Sequence, residues 1–235
     1  MIDFLNRLAD ESSCPSDCSV LSKKGTSLLD LGCGNGSMLF SLREEGWRGR
    51  ALGVDYSPQS VQLARQVCLA KAEENTNDDD DDDDDDDDMP RPEVRFAEWD
   101  IMKGSYETVL RGEDTDTDAA PQPWDVVLDK GTFDAVSLSG EQTEDGRRVC
   151  EVYPERVLPL VRKGGLFLIT SCNWTEEELT KWFAGSRGHG RGNDDARGLA
   201  QEEEGFVPAG RIEYRTFSFG GVKGQTISTL CFRKV

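Results

Sequence analysis

At 235 residues the chain can hold one α/β domain with a full core but not a second large one. Its formal charge of −19 comes mostly from eleven consecutive aspartates, Asp78 to Asp88; the remaining 27 basic and 35 acidic residues (46 less 11) balance at −8. No basic patch able to grip a phosphate backbone is visible, which argues against direct nucleic-acid binding. No run approaches the length of a membrane span, and the acid-bearing start M-I-D-F-L-N-R-L-A-D-E does not read as a signal peptide. Seven cysteines with no C-x-x-C pair, and a single histidine, exclude an obvious zinc site. They fit reduced thiols in the cytoplasm, with the nucleus as a second compartment.

Apolar runs alternate with helical patterns, which predicts a mostly parallel sheet covered on both faces. The first strand is expected over 27–31, followed by a loop with glycine at 32, 34 and 36 and a helix from 36 to 45. A second strand, Ala51 to Asp55, precedes a helix capped by Ser57, with Pro58 in its first turn. Apolar content then vanishes, and about 73–92 is predicted to be a disordered acidic insertion, since eleven like charges repel and bury nothing. Strands three (94–99) and four (124–128) end beside Asp100 and Asp129. A helix over 152–161 is expected to stop at Lys163-Gly164-Gly165, a basic turn followed by glycine. Strand five (166–170) leads into a helix capped by Thr175, and a mobile, Gly-rich loop is expected at about 185–205. Two alternating runs, 211–219 and 226–232, flank G-G-V-K-G and read as a closing β-hairpin. The expectation is one domain over 1–235, an α/β fold with a seven-stranded Rossmann-like sheet, mostly parallel with a C-terminal antiparallel hairpin.

Four strands ending on or beside Asp30, Asp55, Asp100 and Asp129 would line one crevice of such a sheet, where ligands bind. A dinucleotide fingerprint needs G-x-G-x-x-G, whereas this loop reads D-L-G-C-G-N-G. A carboxylate at position 30 would repel a pyrophosphate but accept the amino group of an amino-acid-like ligand, which points to S-adenosylmethionine rather than NAD. In that reading Asp30 and the loop of Gly32, Gly34, Asn35 and Gly36 meet the methionine portion. Asp55 takes the ribose hydroxyls, Asp100 and Ile101 meet the adenine, and Tyr56 and Trp99 flank it. Seven strands with an antiparallel end is likewise the architecture of class I methyltransferases.

The segment W-D-V-V-L-D-K-G-T-F-D-A-V-S-L-S, residues 124–139, resembles the lysine methyltransferases that modify translation elongation factor 1-alpha (the Efm-type, methyltransferase-like group). The resemblance continues through L-G-V-D-Y-S, V-Y-P-E-R-V, L-F-L-I-T-S-C-N-W-T and F-G-G-V-K-G-Q-T-I, nearly all of the chain outside its polar insertions. It implies a cytoplasmic protein-lysine N-methyltransferase that uses S-adenosylmethionine and has elongation factor 1-alpha as partner and substrate. It also implies that Asp129 to Phe133 border the acceptor lysine. Asp129 would then be catalytic, holding the incoming ammonium, with Lys130, Phe133 and Asn173 as substrate contacts. Family members carry an N-terminal segment with Tyr-Trp and Trp-Phe elements before the point where this chain begins. Two other readings therefore stand beside the first: a methyltransferase for another protein or small molecule, and an inactive module that binds S-adenosylmethionine and docks on a partner.

Overall fold

The computed structural model describes residues 1–11, 21–76, 94–110, 121–185, 204–215, 217–219, 222–224 and 226–235. Most of the expected acidic insertion and of the 185–205 loop lies outside the described residues. Seven helices occur among them: α1 (Ile2–Glu11), α2 (Ser37–Glu44), α3 (Pro58–Thr76), α4 (Tyr106–Leu110), α5 (Thr132–Leu138), α6 (Val149–Val157) and α7 (Glu176–Ala184). The strands are β1 (Leu28–Leu31), β2 (Ala51–Asp55), β3 (Val94–Glu98), β4 (Trp124–Lys130), β5 (Val161–Ser171), β6 (Phe206–Ile212), β7 (Phe217–Phe219), β8 (Val222–Gly224) and β9 (Ser228–Lys234).

Seven of the strands form one sheet in the order β3-β2-β1-β4-β5-β9-β6, while β7 and β8 make a separate ribbon. The first five sheet strands pair in parallel, and β9 runs antiparallel to both of its neighbours. The chain winds outward from β1 to β3 and then crosses to β4, so the order reverses between β1 and β4. Ligands of open α/β sheets bind at such a reversal, outside the carboxyl ends of the strands.

Side chains alternate across the sheet because successive residues of a strand point to opposite faces. Leu29, Leu31, Leu52, Val54, Val127, Phe167 and Ile169 face a core shared with α5, α6 and α7. Leu28, Ala51, Val126, Leu128, Leu166 and Leu168 face a second core shared with α1, α2 and α3. Burial on both faces explains why the central strands read as unbroken apolar runs. The N-terminal helix α1, for which the sequence reading assigned no element, buries Phe4 and Leu5 in the second core.

Two expectations are corrected. The helix before β5 ends at Val157, and Leu158–Leu160 form a single 3-10 turn. Pro159 has no N–H to continue an α-helical ladder. Lys163-Gly164-Gly165 is therefore a bulge within β5, not a helix cap: Trp124 pairs with Val161 and Val126 with Leu166, and Gly164 turns the bulge at φ +77°. The closing hairpin is also built differently. The strand that pairs with β9 is β6, which begins at Phe206, whereas Phe217–Phe219 pairs with Val222–Gly224 in the small ribbon. Phe206 sets this register by entering the aromatic cluster of Phe167 and Phe232, at ring-centroid distances of 5.5 and 6.3 Å.

Candidate functional site

Between β1 and α2 the chain passes through three left-handed glycines, each for a different reason. Gly32 (φ +64°) lies so close to Thr132 of α5 that a Cβ would meet its Oγ1 at 2.1 Å. Gly36 (φ +80°) begins α2 against Phe96, whose Cζ would stand 2.6 Å from a Cβ. Gly34 (φ +55°) has nothing within 4 Å of that position, so here the backbone itself faces open space. Asp55 shapes the loop: its Oδ2 accepts the Gly34 N–H at 3.0 Å and its Oδ1 the Ser57 N–H at 2.9 Å. Each oxygen keeps a further lone pair for a ligand. Asn35 is exposed, and its side chain accepts from the Ser37 N–H.

Asp30 is the unusual member. It is 3 % exposed, and among the described residues no hydrogen bond reaches its carboxyl. Burial pushes its pKa up to about 7, helped by Asp129 and Asp55 and opposed by Lys130. A buried carboxyl without donors is costly, and such groups are retained where a ligand supplies the missing partner. Cys33, beside it, is pushed up to about 12 by burial and by the Asp30 and Asp55 carboxylates, so its thiol is no nucleophile. Asp100 turns the loop after β3, accepting the Met102 N–H at 2.8 Å, and Ile101 is 8 % exposed behind it. Tyr56 is 75 % exposed at the end of β2, a free aromatic face. Trp99, by contrast, is core, its indole N–H bonded to the Ser105 carbonyl.

The D-K-G-T-F-D stretch closes the opposite wall, and two of the residues expected to meet the substrate, Asp129 and Phe133, are buried there. Asp129 is fully buried within β4. Its Oδ1 accepts the Thr132 N–H at 2.8 Å, and its Oδ2 accepts the Phe133 N–H at 3.1 Å and the Tyr153 hydroxyl at 2.6 Å. Burial raises its pKa against the downward pull of these bonds. As placed, the group holds the first turn of α5 and has no surface to offer an ammonium. Phe133 is fully buried too, with ring centroids 5.2–6.0 Å from Tyr153, Trp174, Trp182 and Phe183. Lys130 and Asn173 are both exposed.

Beyond the end of β5 a cavity of about 810 Å³ opens between the start of α7 and the ends of β6 and β9. Ser171 to Glu177, Arg211, Glu213, Tyr214 and Thr226 to Ser228 line it, so Asn173 stands on its rim and Lys130 does not. Its mouth is acidic. Arg211 sits between Glu176 and Glu213 at 3.1 and 3.2 Å, and Glu177 adds a further carboxylate.

Several residues escaped the sequence reading because their role is to position others. Thr132 donates to the Leu31 carbonyl at 2.7 Å, tying α5 to the glycine loop. Within V-Y-P-E-R-V, Tyr153 reaches Asp129, and Arg156 donates to the carbonyls of Ile101 and Gly104 at 2.6 Å each, bracing the Asp100 loop. The V-Y-P-E-R-V motif itself carried the signal: Tyr153 and Arg156, three residues apart, lie on one helix face.

S-adenosylmethionine fits this donor set. Its cationic amino group would answer the unpartnered Asp30, the open space at Gly34 would admit its amino-acid end, and Asp55 retains acceptors that two hydroxyls could use. Comparison with known proteins agrees. Residues 22–78 match a methyltransferase domain family. In the solved N-methyltransferase NodS of Bradyrhizobium japonicum, in complex with S-adenosylhomocysteine, the same fold superposes with a TM-score of 0.51 at 12 % identity, covering 99 % of this chain and 84 % of NodS. Magnesium protoporphyrin IX methyltransferase of Synechocystis, also with bound S-adenosylhomocysteine, gives a TM-score of 0.51 at 14 % identity, over 99 % of this chain and 80 % of that one. Among curated relatives, human EEF1A lysine methyltransferase 2 is 29 % identical over 209 residues, 89 % of this chain and 66 % of its own. Protein-lysine N-methyltransferase EFM4 of Saccharomyces cerevisiae is 33 % identical over 211 residues, 90 % of this chain and 71 % of the yeast protein. With that likeness covering about nine-tenths of its length, the chain belongs to the Efm4 and EEF1A lysine methyltransferase 2 family of protein-lysine methyltransferases.

Proposed function

We propose that this protein transfers a methyl group from S-adenosylmethionine to a lysine ε-amine of translation elongation factor 1-alpha. The observation that carries the reading is the unpartnered, buried Asp30 at the sheet's reversal point, in a chain that matches the lysine methyltransferases named above over about nine-tenths of its length. When bound, S-adenosylmethionine supplies an electrophilic methyl group on a sulfonium. In the proposed arrangement Asp30 takes the amino group, Asp55 the ribose hydroxyls, and Asp100 with Ile101 the adenine, while Gly32, Asn35 and Gly36 shape the loop around Gly34. Tyr56 covers the base from the solvent side.

The acceptor lysine enters past Asn173 at the rim of the cavity, with Lys130 at the neighbouring strand end. It must arrive neutral, which costs about 4–5 kcal/mol at neutral pH for an ordinary amine of pKa near 10.4. Desolvation against the walls of the site offsets part of that cost, and the proton leaves through the open mouth to water. Holding donor and acceptor in line supplies roughly 7–11 kcal/mol of the acceleration, so positioning is the main demand on the chain. Asp129 and Phe133 meet it indirectly, by fixing α5. The proposed setting is the cytoplasm; Cys33, Cys150, Cys172 and Cys231 are free thiols, as a reducing compartment favours.

The test combines calorimetry with S-adenosylmethionine and radiomethyl transfer to purified elongation factor 1-alpha, with the modified residue read by peptide mass spectrometry. Saturable cofactor binding and label on a lysine are expected. Cofactor binding with no label in that protein would overturn the acceptor assignment. Label appearing elsewhere in a whole-cell extract would redirect it.

A further inference from the structure

We propose that Asp134 and Ser137, one turn apart on α5, are positioning residues that fix the Ser171–Trp174 rim of the cavity and so govern how the acceptor protein is held. The inference rests on the methyl-transfer reading above and deepens it.

Asp134 ends the D-K-G-T-F-D stretch, yet its carboxylate leaves its own helix. It is 8 % exposed; one oxygen accepts the Ser171 hydroxyl and the other accepts the Cys172 N–H at 2.8 Å. The Ser171 oxygen accepts in turn from the N–H groups of Asn173 and Trp174, at 3.1 and 2.9 Å. A hydroxyl has one hydrogen and two lone pairs, so Ser171 is saturated. Ser137 adds a second tether: its Oγ donates to the Asp134 carbonyl at 2.9 Å and accepts the Trp174 indole N–H at 3.1 Å. Four successive residues on the cavity rim therefore take their orientation from two side chains of one short helix.

The chemistry demands a carboxylate. Both partners of Asp134 are donors, and only an acceptor-only group satisfies both; an amide would turn its NH2 against one of them whichever way it flips. The same helix is bound at its other end to the glycine loop, through Thr132 to the Leu31 carbonyl, and to β4 through Asp129. α5 is thus the rigid spacer between the cofactor crevice and the acceptor rim. In a reaction that depends on alignment, a displacement of about 1 Å from a remote change can cost on the order of a hundredfold in rate.

The experiment compares wild type with Asp134→Asn and, separately, Ser137→Ala, measuring cofactor Kd, acceptor KM, kcat and thermal unfolding. Asp134→Asn should raise the acceptor KM about tenfold or more, with cofactor Kd within about twofold of wild type. Ser137→Ala should raise the acceptor KM by a smaller factor, because it cuts one tether only. A kcat that falls merely with the folded fraction, at unchanged acceptor KM, would overturn the proposal, and so would an equal loss of cofactor affinity. If Asp134→Asn does not fold, Ser137→Ala decides alone: a raised acceptor KM supports the role and an unchanged one ends it. A wild-type protein that labels no acceptor overturns the functional reading instead, whereas an active wild type matched by both variants overturns only this one.

Discussion

Replacing Asp30 by Asn isolates the cost of leaving a buried carboxyl without a partner. Its pKa is raised from 3.8 to about 7 in the folded chain, chiefly by burial. Through the pH range between those values the folded protein keeps a proton that the unfolded chain releases. Stability therefore falls as pH rises through this window, and the full penalty stands above about pH 7. Three units correspond to roughly 4 kcal/mol at 1.36 kcal/mol per unit. About 2 kcal/mol of that develops between about pH 5.5 and about pH 8, a range that stays clear of the sequence pI near 4.4. The Asn variant keeps the shape and loses the charge, so without cofactor it should be more stable than wild type, by more at the higher pH.

With cofactor the order inverts. The cationic amino group favours the ionised form of Asp30, so binding near neutral pH should release a proton and tighten as pH rises towards 8. Asp30→Asn should weaken binding about tenfold or more and abolish the proton release. Urea melts at the two pH values, with calorimetry in buffers of different ionisation enthalpy, read both effects. Urea midpoints that move in parallel for wild type and variant, together with unchanged cofactor affinity, would refute the reasoning.

The glycines give a paired prediction. Gly36→Ala puts a Cβ 2.6 Å from the Phe96 ring at φ +80° and should cost about 2–4 kcal/mol in thermal or urea unfolding. Gly34→Ala meets open space and should cost only about 1–2 kcal/mol for its backbone angle, yet lose cofactor affinity in calorimetry. Tyr153→Phe removes the hydroxyl 2.6 Å from Asp129 and should destabilise by about 1–3 kcal/mol. That loss should be larger at about pH 8 than at about pH 6, since it raises the pKa of Asp129 further and falls on its charged form. Equal losses at both pH values would count against Asp129 as the acceptor of that bond.

What the chain disclosed as a sequence was its periodicity and its special residues. The central strands were readable because burial on both faces makes them unbroken apolar runs, and Thr175 was readable as a cap because Glu178 completes a reciprocal capping box. The start of β6 was hidden because Phe206 is placed by aromatic partners distant in sequence, Phe167 and Phe232, rather than by alternation near it. The 3-10 turn at Leu158–Leu160 was missed because a Lys-Gly-Gly stretch looks like a helix cap, while Pro159 had already ended the helix. The crevice acids were visible as a set. Which of them meets a ligand and which braces a helix was not, because that depends on donors arriving from other elements.

Asp30 and Asp129 make that difference physical. They sit on paired strands one residue out of register, since Asp30 lies opposite Leu128 and Leu31 opposite Asp129. Both are buried, so burial alone cannot assign their roles. Their hydrogen bonds can. Asp129 receives donors from Thr132, Phe133 and Tyr153, the supply that keeps a buried carboxylate in place as part of the scaffold. Asp30 receives none among the described residues and carries the repulsion of its neighbour as well. Removing Asp129 would strip α5 of its anchor and disturb both halves of the site, whereas removing Asp30 relieves the free protein. Of two adjacent aspartates, the one whose loss stabilises the empty fold is the one reserved for the ligand.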